Sequence, residues 1–306
     1  MSIELWKEVF SNVRENVDAY LSSEEIRSTY RDPNTSIEFV VDDLCHSVNA
    51  FAGRVAINRY RIRICAGLAA YLRESAVETI ESGWIFKEQS SSDPVRRSRL
   101  IDYLMYIWLD FVCFHEWSHV ICGHHSVGGS GEQWSEFEVQ RDEKGKLPAE
   151  VNQRLEVEAD AYAAKFTLAR FSTIWQGLAH EIYGTAVPEM VLRDYLMSLL
   201  LLFRAFEKID GKDCAERSHP EPIDRAFVVH SFMMGEFSGI PGLPNLGKKE
   251  VESIFSRVLL DFYLLHFGLS AETLLPRILQ SATFMASVDD MLKKLKMDQY
   301  RVAVRR

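Results

Sequence analysis

Residues 111–123 read FVCFHEWSHVICG, and this stretch decides the fold that we expect for the chain. It closes an apolar-rich segment that ends at Gly123, a residue suited to the left-handed position after a helix. The most apolar part, Tyr103–Phe114, is shorter than the about 20 apolar residues that cross a membrane. We therefore predict one long buried helix at Arg97–Cys122.

The polar residues of this helix form the motif HExxH, at His115, Glu116 and His119. Residues four apart share one helical face, so both imidazoles can reach one metal ion, and Glu116 can contact a water bound to that ion. The alternative is a pair of core histidines beside an ordinary salt-bridging glutamate. That alternative buries several polar groups among apolar neighbours, which costs free energy when they have no partner. The motif therefore favours metal-assisted hydrolysis.

A catalytic zinc site usually has three protein ligands and one open position, so a third ligand is needed. The sequence EVEADAYAA at residues 156–164 offers Glu156, with Asp160 on the same helical face. In this arrangement Glu156 binds the metal, and Asp160 accepts the remaining N–H of His115, which orients that ring. Alanines on the same face indicate burial, whereas Glu158 is expected to point elsewhere. The alternative is a set of ordinary acidic residues on an exposed helix.

His125 is the competing third ligand, because its distance from the first histidine of the motif matches the pattern HExxHxxGxxH. The glycine position of that pattern holds Cys122, and Gly123 comes one place late. The turn that brings the third histidine back would be misplaced, so Glu156 is the preferred ligand. His124 and His125 are then polar loop residues or partners that support a ligand.

His219 and Arg225 form a further candidate group in SHPEPIDR at residues 218–225. Proline restricts the residue before it to extended conformations, so Pro220 would hold His219 in place. His219 can then donate a hydrogen bond to the oxyanion that develops on a scissile carbonyl, and Arg225 can orient the loop or the substrate. The alternative is an exposed histidine in a turn and an arginine at the start of a helix.

Helical periodicity dominates the 306 residues, with one region of β-strand character at Thr35–Ile64. Within it, Tyr60–Ile64 alternates as Tyr-Arg-Ile-Arg-Ile, which predicts a half-exposed strand. The fold class that follows is α+β, predominantly helical, with a small sheet. We predict a single domain over residues 1–306, with a catalytic core at 35–225 and a helical C-terminal extension at 226–306.

Composition and charge narrow the expected partners and compartment. The chain carries 35 lysines and arginines against 44 aspartates and glutamates, a net charge of −9, which disfavours nucleic acid as a partner. Its 5 cysteines include no CxxC pair, so neither a disulfide framework nor a cysteine zinc site is expected. No secretion signal or membrane span is evident, so we expect a cytoplasmic protein without membrane insertion.

The HExxH motif, followed by ExxxD at Glu156–Asp160, resembles the motif pair of the glutamate-ligated zinc metallopeptidases called gluzincins. Further residues resemble the substrate-pairing strand, the following helix and the downstream His-Pro and Arg of the prenyl-protein and heat-shock membrane-protease group: Asn49, Ala50, Phe51, Ala52, Ile62, Ile64, Gly67, Leu68, His219, Pro220 and Arg225. That group has transmembrane helices around its peptidase core, and this sequence shows none. A soluble chain of this size with Gly123-His124 after the motif is also similar to Lit-type phage-exclusion peptidases, which are cytosolic bacterial zinc proteases that cleave a host protein upon infection.

The resemblance implies a soluble zinc-dependent endopeptidase with a zincin-like core and Zn²⁺ as its cofactor. The expected roles are metal ligation by His115, His119 and Glu156, general-base catalysis by Glu116, oxyanion stabilisation by His219, and orientation by Asp160 and Arg225. An edge strand carrying Ile62 and Ile64 would pair with an extended substrate through main-chain hydrogen bonds. The expected partner is a protein or peptide substrate and, if the enzyme is regulated, an activating protein or peptide. The alternative is a zinc-binding regulatory or sensing protein with little peptidase activity of its own.

Overall fold

The computed structural model describes residues 4–28, 30–86, 93–124, 134–135, 149–184, 188–209, 220–237, 246–266 and 268–294. Within these ranges the α-helices are α1 (Glu4–Leu21), α2 (Glu24–Arg27), α3 (Ala66–Ser82), α4 (Pro94–Cys122), α5 (Ala149–Leu178), α6 (Pro188–Ile209), α7 (Pro222–Phe237), α8 (Lys248–His266) and α9 (Ala271–Lys294), and a π-helical segment at Ala179–Tyr183 follows α5. The strands are β1 (Ser36–Asp42), β2 (Ala50–Ala56), β3 (Arg59–Cys65) and β4 (Trp134–Ser135). The prediction of a predominantly helical α+β fold with a small sheet is confirmed. None of the helices in the described ranges combines the length and apolarity of a membrane span.

The helix predicted at Arg97–Cys122 is α4, which begins slightly earlier, at Pro94. The Asp93 side chain caps its first turn by accepting a hydrogen bond from the Val95 N–H, and Pro94 needs no donor there. Gly123 ends the helix in the left-handed conformation, at φ 74°. Every residue of its C-terminal half is buried, so α4 is the central helix of the fold.

The neighbours of α4 form one hydrophobic core around it. α4 packs against α1, α3, α5 and α6, and against β2 and β3 of the sheet. Its large side chains Trp108, Phe111, Phe114 and Trp117 are all buried in this core. α8 packs on α6 and contributes Phe255 to the same core, while α9 packs on α5. The division into a catalytic core and a C-terminal extension stays a prediction.

The sheet has the strand order β1-β3-β2-β4. β1 runs parallel to β3, and β2 pairs antiparallel with β3 through a short turn. On the core face of β3, Ile62 and Ile64 are fully buried, whereas Arg61 on the other face pairs with Glu38 at 2.9 Å. The alternation predicted for this strand is therefore confirmed.

β3 lies inside the sheet, which corrects the prediction that Ile62 and Ile64 belong to an edge strand for substrate. Its main chain is paired with β1 on one side and with β2 on the other. Its N–H and C=O groups are used within the sheet and cannot pair with a peptide. The outer side of β2 carries β4, which pairs with Phe51 and Ala52. Local alternation predicts a strand, but strand order depends on tertiary packing.

A disulfide joins Cys45 to Cys65, which corrects the expectation that the cysteines form no such bond. The parallel register of β1 with β3 brings the two Cα atoms to 5.0 Å, although the residues are far apart in sequence. The connection between β1 and β2 folds over the start of α3, where the Gly67 N–H donates to the Cys45 carbonyl at 3.1 Å. A Cβ at position 67 would collide with the carbonyl oxygens of His46 and Ser47, so this close approach requires glycine.

Candidate metal centre

The HExxH motif lies in the buried half of α4, and α5 packs closely alongside it. Small side chains on α5 permit this approach, since Ala159 and Ala163 are both fully buried. The packing brings Glu156 of α5 next to His115 and His119 of α4. All three side chains are buried, with exposed fractions of 1% for His115 and 2% for each of the others.

One atom of each side chain in this group lies close to the other two. His115 Nε2 and His119 Nε2 are 3.0 Å apart. Glu156 Oε2 is 3.2 Å from His115 Nε2, and Glu156 Oε1 is 3.4 Å from His119 Nε2. This group could hold a metal ion, because each residue offers a ligand atom within 4.8 Å of the others. The fold therefore gathers the three residues that the sequence nominated as ligands.

Asp160 lies on the other side of the His115 ring, one helical turn after Glu156. Asp160 Oδ1 is 2.9 Å from His115 Nδ1. Because a carboxylate oxygen accepts hydrogen bonds, this contact favours the tautomer with hydrogen on Nδ1 and the lone pair on Nε2. The lone pair then belongs to the nitrogen that faces Glu156. The geometry agrees with the pairing expected from the ExxxD spacing.

Arg225 of α7 binds the carboxylate of Asp160, the same group that contacts the His115 ring. Its Nε donates to Asp160 Oδ2 at 2.8 Å, and its Nη2 donates to Asp160 Oδ1 at 2.9 Å. Both side chains are buried, so the pair is shielded from water. Arg225 stands in the first turn of α7, as one of the sequence interpretations expected, but its contact with Asp160 was not foreseen. It therefore acts on the His115 ring through a carboxylate.

Glu116 follows His115 on α4 and is fully buried. One residue along a helix corresponds to a rotation of about 100°, so its side chain leaves α4 on a neighbouring side. Burial raises the pKa of the nearby Cys113 thiol, and the charges of Asp110 and Glu116 raise it further. Cys113 is therefore a protonated thiol at neutral pH. The role of Glu116 as a general base stays a prediction.

The His119 ring is neutral in this environment. Burial, together with smaller effects of the His115 and His124 rings, lowers the pKa of His119 to about 4 against the opposing effect of Glu156. An imidazole must be neutral to bind a metal ion, because the ligand atom is the unprotonated nitrogen. The surroundings of His119 thus favour its ligand-competent form at neutral pH.

His124 and Glu158 lie beside the motif, and for His124 the contacts agree with the expectation of a partner that supports a ligand. His124 Nδ1 is 2.8 Å from His119 Nδ1, and His124 Nε2 is 3.1 Å from Glu158 Oε2. Glu158 is 4% exposed and contacts His124 instead of joining the group of His115, His119 and Glu156, so it is a buried acid and not a surface one. α5 is enclosed between α4 and α7, so acids on more than one of its sides are buried. With Cys122, His124 and Glu158 form a second buried group that could hold a metal ion.

Two candidates, His125 and His219, lie outside the described residues, so their roles stay predictions. Pro220, directly after His219, is buried two residues before α7 begins at Pro222. The next residue, Glu221, pairs with Arg277 of α9 at 2.7 Å. The chain is therefore anchored immediately after His219.

Comparisons with protein-family models, curated proteins and solved structures found no match to this chain. The geometry and chemistry of the site are thus the basis for a functional proposal.

Proposed function

We propose that the chain is a zinc-dependent endopeptidase of the gluzincin type, which hydrolyses peptide bonds with a water molecule activated at the metal. The observation that carries this proposal is the convergence of His115, His119 and Glu156 from α4 and α5. These residues would hold the ion. Glu116 stands beside them in the HExxH motif.

The types of ligand atom support zinc as the ion. Zinc binds imidazole nitrogen and carboxylate oxygen, and His115, His119 and Glu156 offer two of the first and one of the second. Two imidazoles and one carboxylate leave the fourth position open, as in catalytic zinc sites, whereas Ca²⁺ and Mg²⁺ prefer oxygen ligands.

The residues around the ion have distinct tasks in this proposal. Zinc, when bound, lowers the pKa of a water molecule to about 7 and polarises a carbonyl group. Glu116 accepts a proton from the attacking water and returns it to the amine nitrogen as the C–N bond breaks. Asp160 and Arg225 keep the His115 ring in the orientation that presents Nε2. His219 donates a hydrogen bond to the oxyanion that forms on the carbonyl.

A second function is favoured by the closure of the site. His115, His119 and Glu156 are at most 2% exposed, and Glu116 is not exposed at all. β2 packs on α4, and its outer side already carries β4 at Phe51 and Ala52. A peptide reaches such a site only after a movement of the chain. The second candidate is therefore a zinc-binding regulatory protein that cleaves little until an activating protein or peptide opens the site.

Metal content and cleavage, measured together, test both candidates. Wild type, His119→Ala and Glu116→Gln are purified, and zinc per chain is determined by mass spectrometry. Each protein is then incubated with a library of peptides, and new amino termini are labelled and sequenced. We expect about one zinc per chain in wild type and Glu116→Gln, and less in His119→Ala. Cleavage by Glu116→Gln should fall by at least about 100-fold, because the proton carrier is removed.

The outcomes separate the two functions. Loss of cleavage with retention of zinc in Glu116→Gln supports the endopeptidase. Zinc in the wild type without any cleavage supports the regulatory protein. Wild-type protein that binds no zinc at micromolar concentrations of the ion contradicts both.

A further inference from the structure

His119 has a buried neighbour on each of its two ring nitrogens. On one side, His119 Nε2 faces His115 Nε2 and Glu156 Oε1, at 3.0 and 3.4 Å. On the other side, His119 Nδ1 is 2.8 Å from Nδ1 of His124. His124 continues to Glu158, whose Oε2 is 3.1 Å from His124 Nε2. His124 is 0% exposed, so water does not compete with these contacts.

The order of these contacts determines where the ring hydrogens lie. A carboxylate oxygen of Glu158 accepts, so His124 carries its hydrogen on Nε2. A neutral His124 then presents the lone pair of Nδ1, and the 2.8 Å contact requires His119 to donate from its own Nδ1. The lone pair of His119 is thereby placed on Nε2, the nitrogen that faces Glu156.

We propose that His124 and Glu158 are positioning residues, which hold the His119 ring in the tautomer and orientation that bind the metal through Nε2. They orient His119, the second histidine of the motif, in the same way that Asp160 orients the ring of His115. The inference rests on the metal site of the proposed function. Contacts of this kind behind a metal-binding histidine typically change metal affinity by about 10–100-fold.

The same hydrogen-bond chain restricts the number of ions that the site can hold. Cys122, His124 and Glu158 could hold a second ion in geometric terms. If both His119 and His124 bound metal through Nε2, each neutral ring would carry its hydrogen on Nδ1. Those two atoms are 2.8 Å apart, which leaves room for one hydrogen between them. We therefore expect one tightly bound ion per chain, without Cys122 as a ligand.

Metal titrations on the full chain test this proposal. Zn²⁺ affinity is measured by competition with a chromophoric chelator, and Co²⁺ binding is followed by absorption, because a cobalt–thiolate bond has a charge-transfer band in the near ultraviolet. The variants are His124→Leu, which removes the acceptor, and His124→Asn, whose Oδ1 replaces Nδ1 as an acceptor. The matched control is His230→Leu, which removes another buried histidine, one that contacts the Phe255 carbonyl.

The expected results distinguish positioning from general destabilisation. His124→Leu should bind Zn²⁺ about 10–100-fold more weakly, and His124→Asn should regain most of that loss. His230→Leu should bind Zn²⁺ as wild type does, although it too is destabilised. Circular dichroism and thermal unfolding in excess chelator show that each variant is folded. If His124→Leu does not fold, Glu158→Gln replaces it, with weaker binding expected because an amide is a weaker acceptor than a carboxylate.

Three results would overturn the inference. Wild-type affinity in folded His124→Leu, or in Glu158→Gln where it replaces that variant, shows that the chain does not position His119. Two bound Co²⁺ ions with a thiolate band that disappears in Cys122→Ala show a second metal site instead. Wild type that binds neither ion refutes the proposed function together with this inference, whereas the first two results leave the proposed function standing.

Discussion

Replacing Arg225 by methionine removes the positive charge that faces Asp160 in the interior. The guanidinium donates two hydrogen bonds to that carboxylate, at 2.8 and 2.9 Å. It also lies over the rings of Phe203 and Phe206, at 5.4 and 5.7 Å from their centres. Methionine keeps an unbranched apolar chain against these rings, so the change acts mainly on the charge and the hydrogen bonds.

The expected loss of unfolding free energy in Arg225→Met follows from the burial of the Arg225–Asp160 pair. Asp160 is 0% exposed and Arg225 is 3% exposed. Breaking such a pair by removing one member costs about 3–5 kcal/mol, because the remaining charge stays buried without compensation. The matched control is Arg61→Met, since the Arg61–Glu38 pair has the same 2.9 Å separation but both side chains are about half exposed. An exposed pair contributes less than about 1 kcal/mol.

The assay is urea unfolding in excess chelator, so that metal binding does not contribute to the measured free energy. Arg225→Met, Asp160→Asn and the double variant form a thermodynamic cycle. We expect each single variant to lose about 3–5 kcal/mol, and the double variant to lose clearly less than the sum. A loss below about 1 kcal/mol in Arg225→Met, equal to that of Arg61→Met, would refute the conclusion that this pair is buried and coupled.

Two further predictions concern the close approach at α3 and the pH dependence of stability. Gly67→Ala should destabilise the fold by more than about 1 kcal/mol because its Cβ collides with the His46 carbonyl, whereas Gly177→Ala on α5, with nothing within 4 Å, should raise the free energy of unfolding by up to about 1 kcal/mol. Thermal unfolding of both variants checks this, and equal transition temperatures contradict it. Burial lowers the pKa of His230 to about 4, against its hydrogen bond to the Phe255 carbonyl, so the unfolded chain takes up a proton first as the pH falls below 6.5. This contribution to stability is complete above pH 6.5 and is lost towards pH 4, by up to about 1.4 kcal/mol per pH unit. Urea unfolding between pH 7 and 5 should therefore show a steeper loss in wild type than in His230→Gln, and parallel pH dependences would show that His230 is not responsible.

The central helix and the spacing of its candidate ligands could be predicted because both depend on local periodicity. Residues four apart on a helix share a face whatever the helix packs against, so His115 and His119 were paired correctly. The same rule related Glu156 to Asp160. The alanines of α5 indicated a close helix contact, and α4 and α5 do meet there. This contact is what brings the two motifs together.

Sequence-based prediction failed where the structural feature depended on contacts between segments that are distant in the chain. The burial of Glu158 follows from tertiary contacts, because α5 is packed on two sides and buries acids on both. Cys45 and Cys65 have no diagnostic spacing, and only the pairing of β1 with β3 brings them together. The strand with Ile62 and Ile64 was recognised, but its neighbours were not.

The sequence by itself determined the helical character, the buried HExxH helix and the chemical identity of the three residues that gather as candidate metal ligands. Periodicity, burial and donor chemistry are properties of short segments, so they can be deduced without a three-dimensional arrangement. Only the tertiary structure decided the strand order, the support of Asp160 by Arg225 and the chain from His119 through His124 to Glu158. Each of these depends on how far two separately folded elements approach each other, and no local pattern encodes that distance.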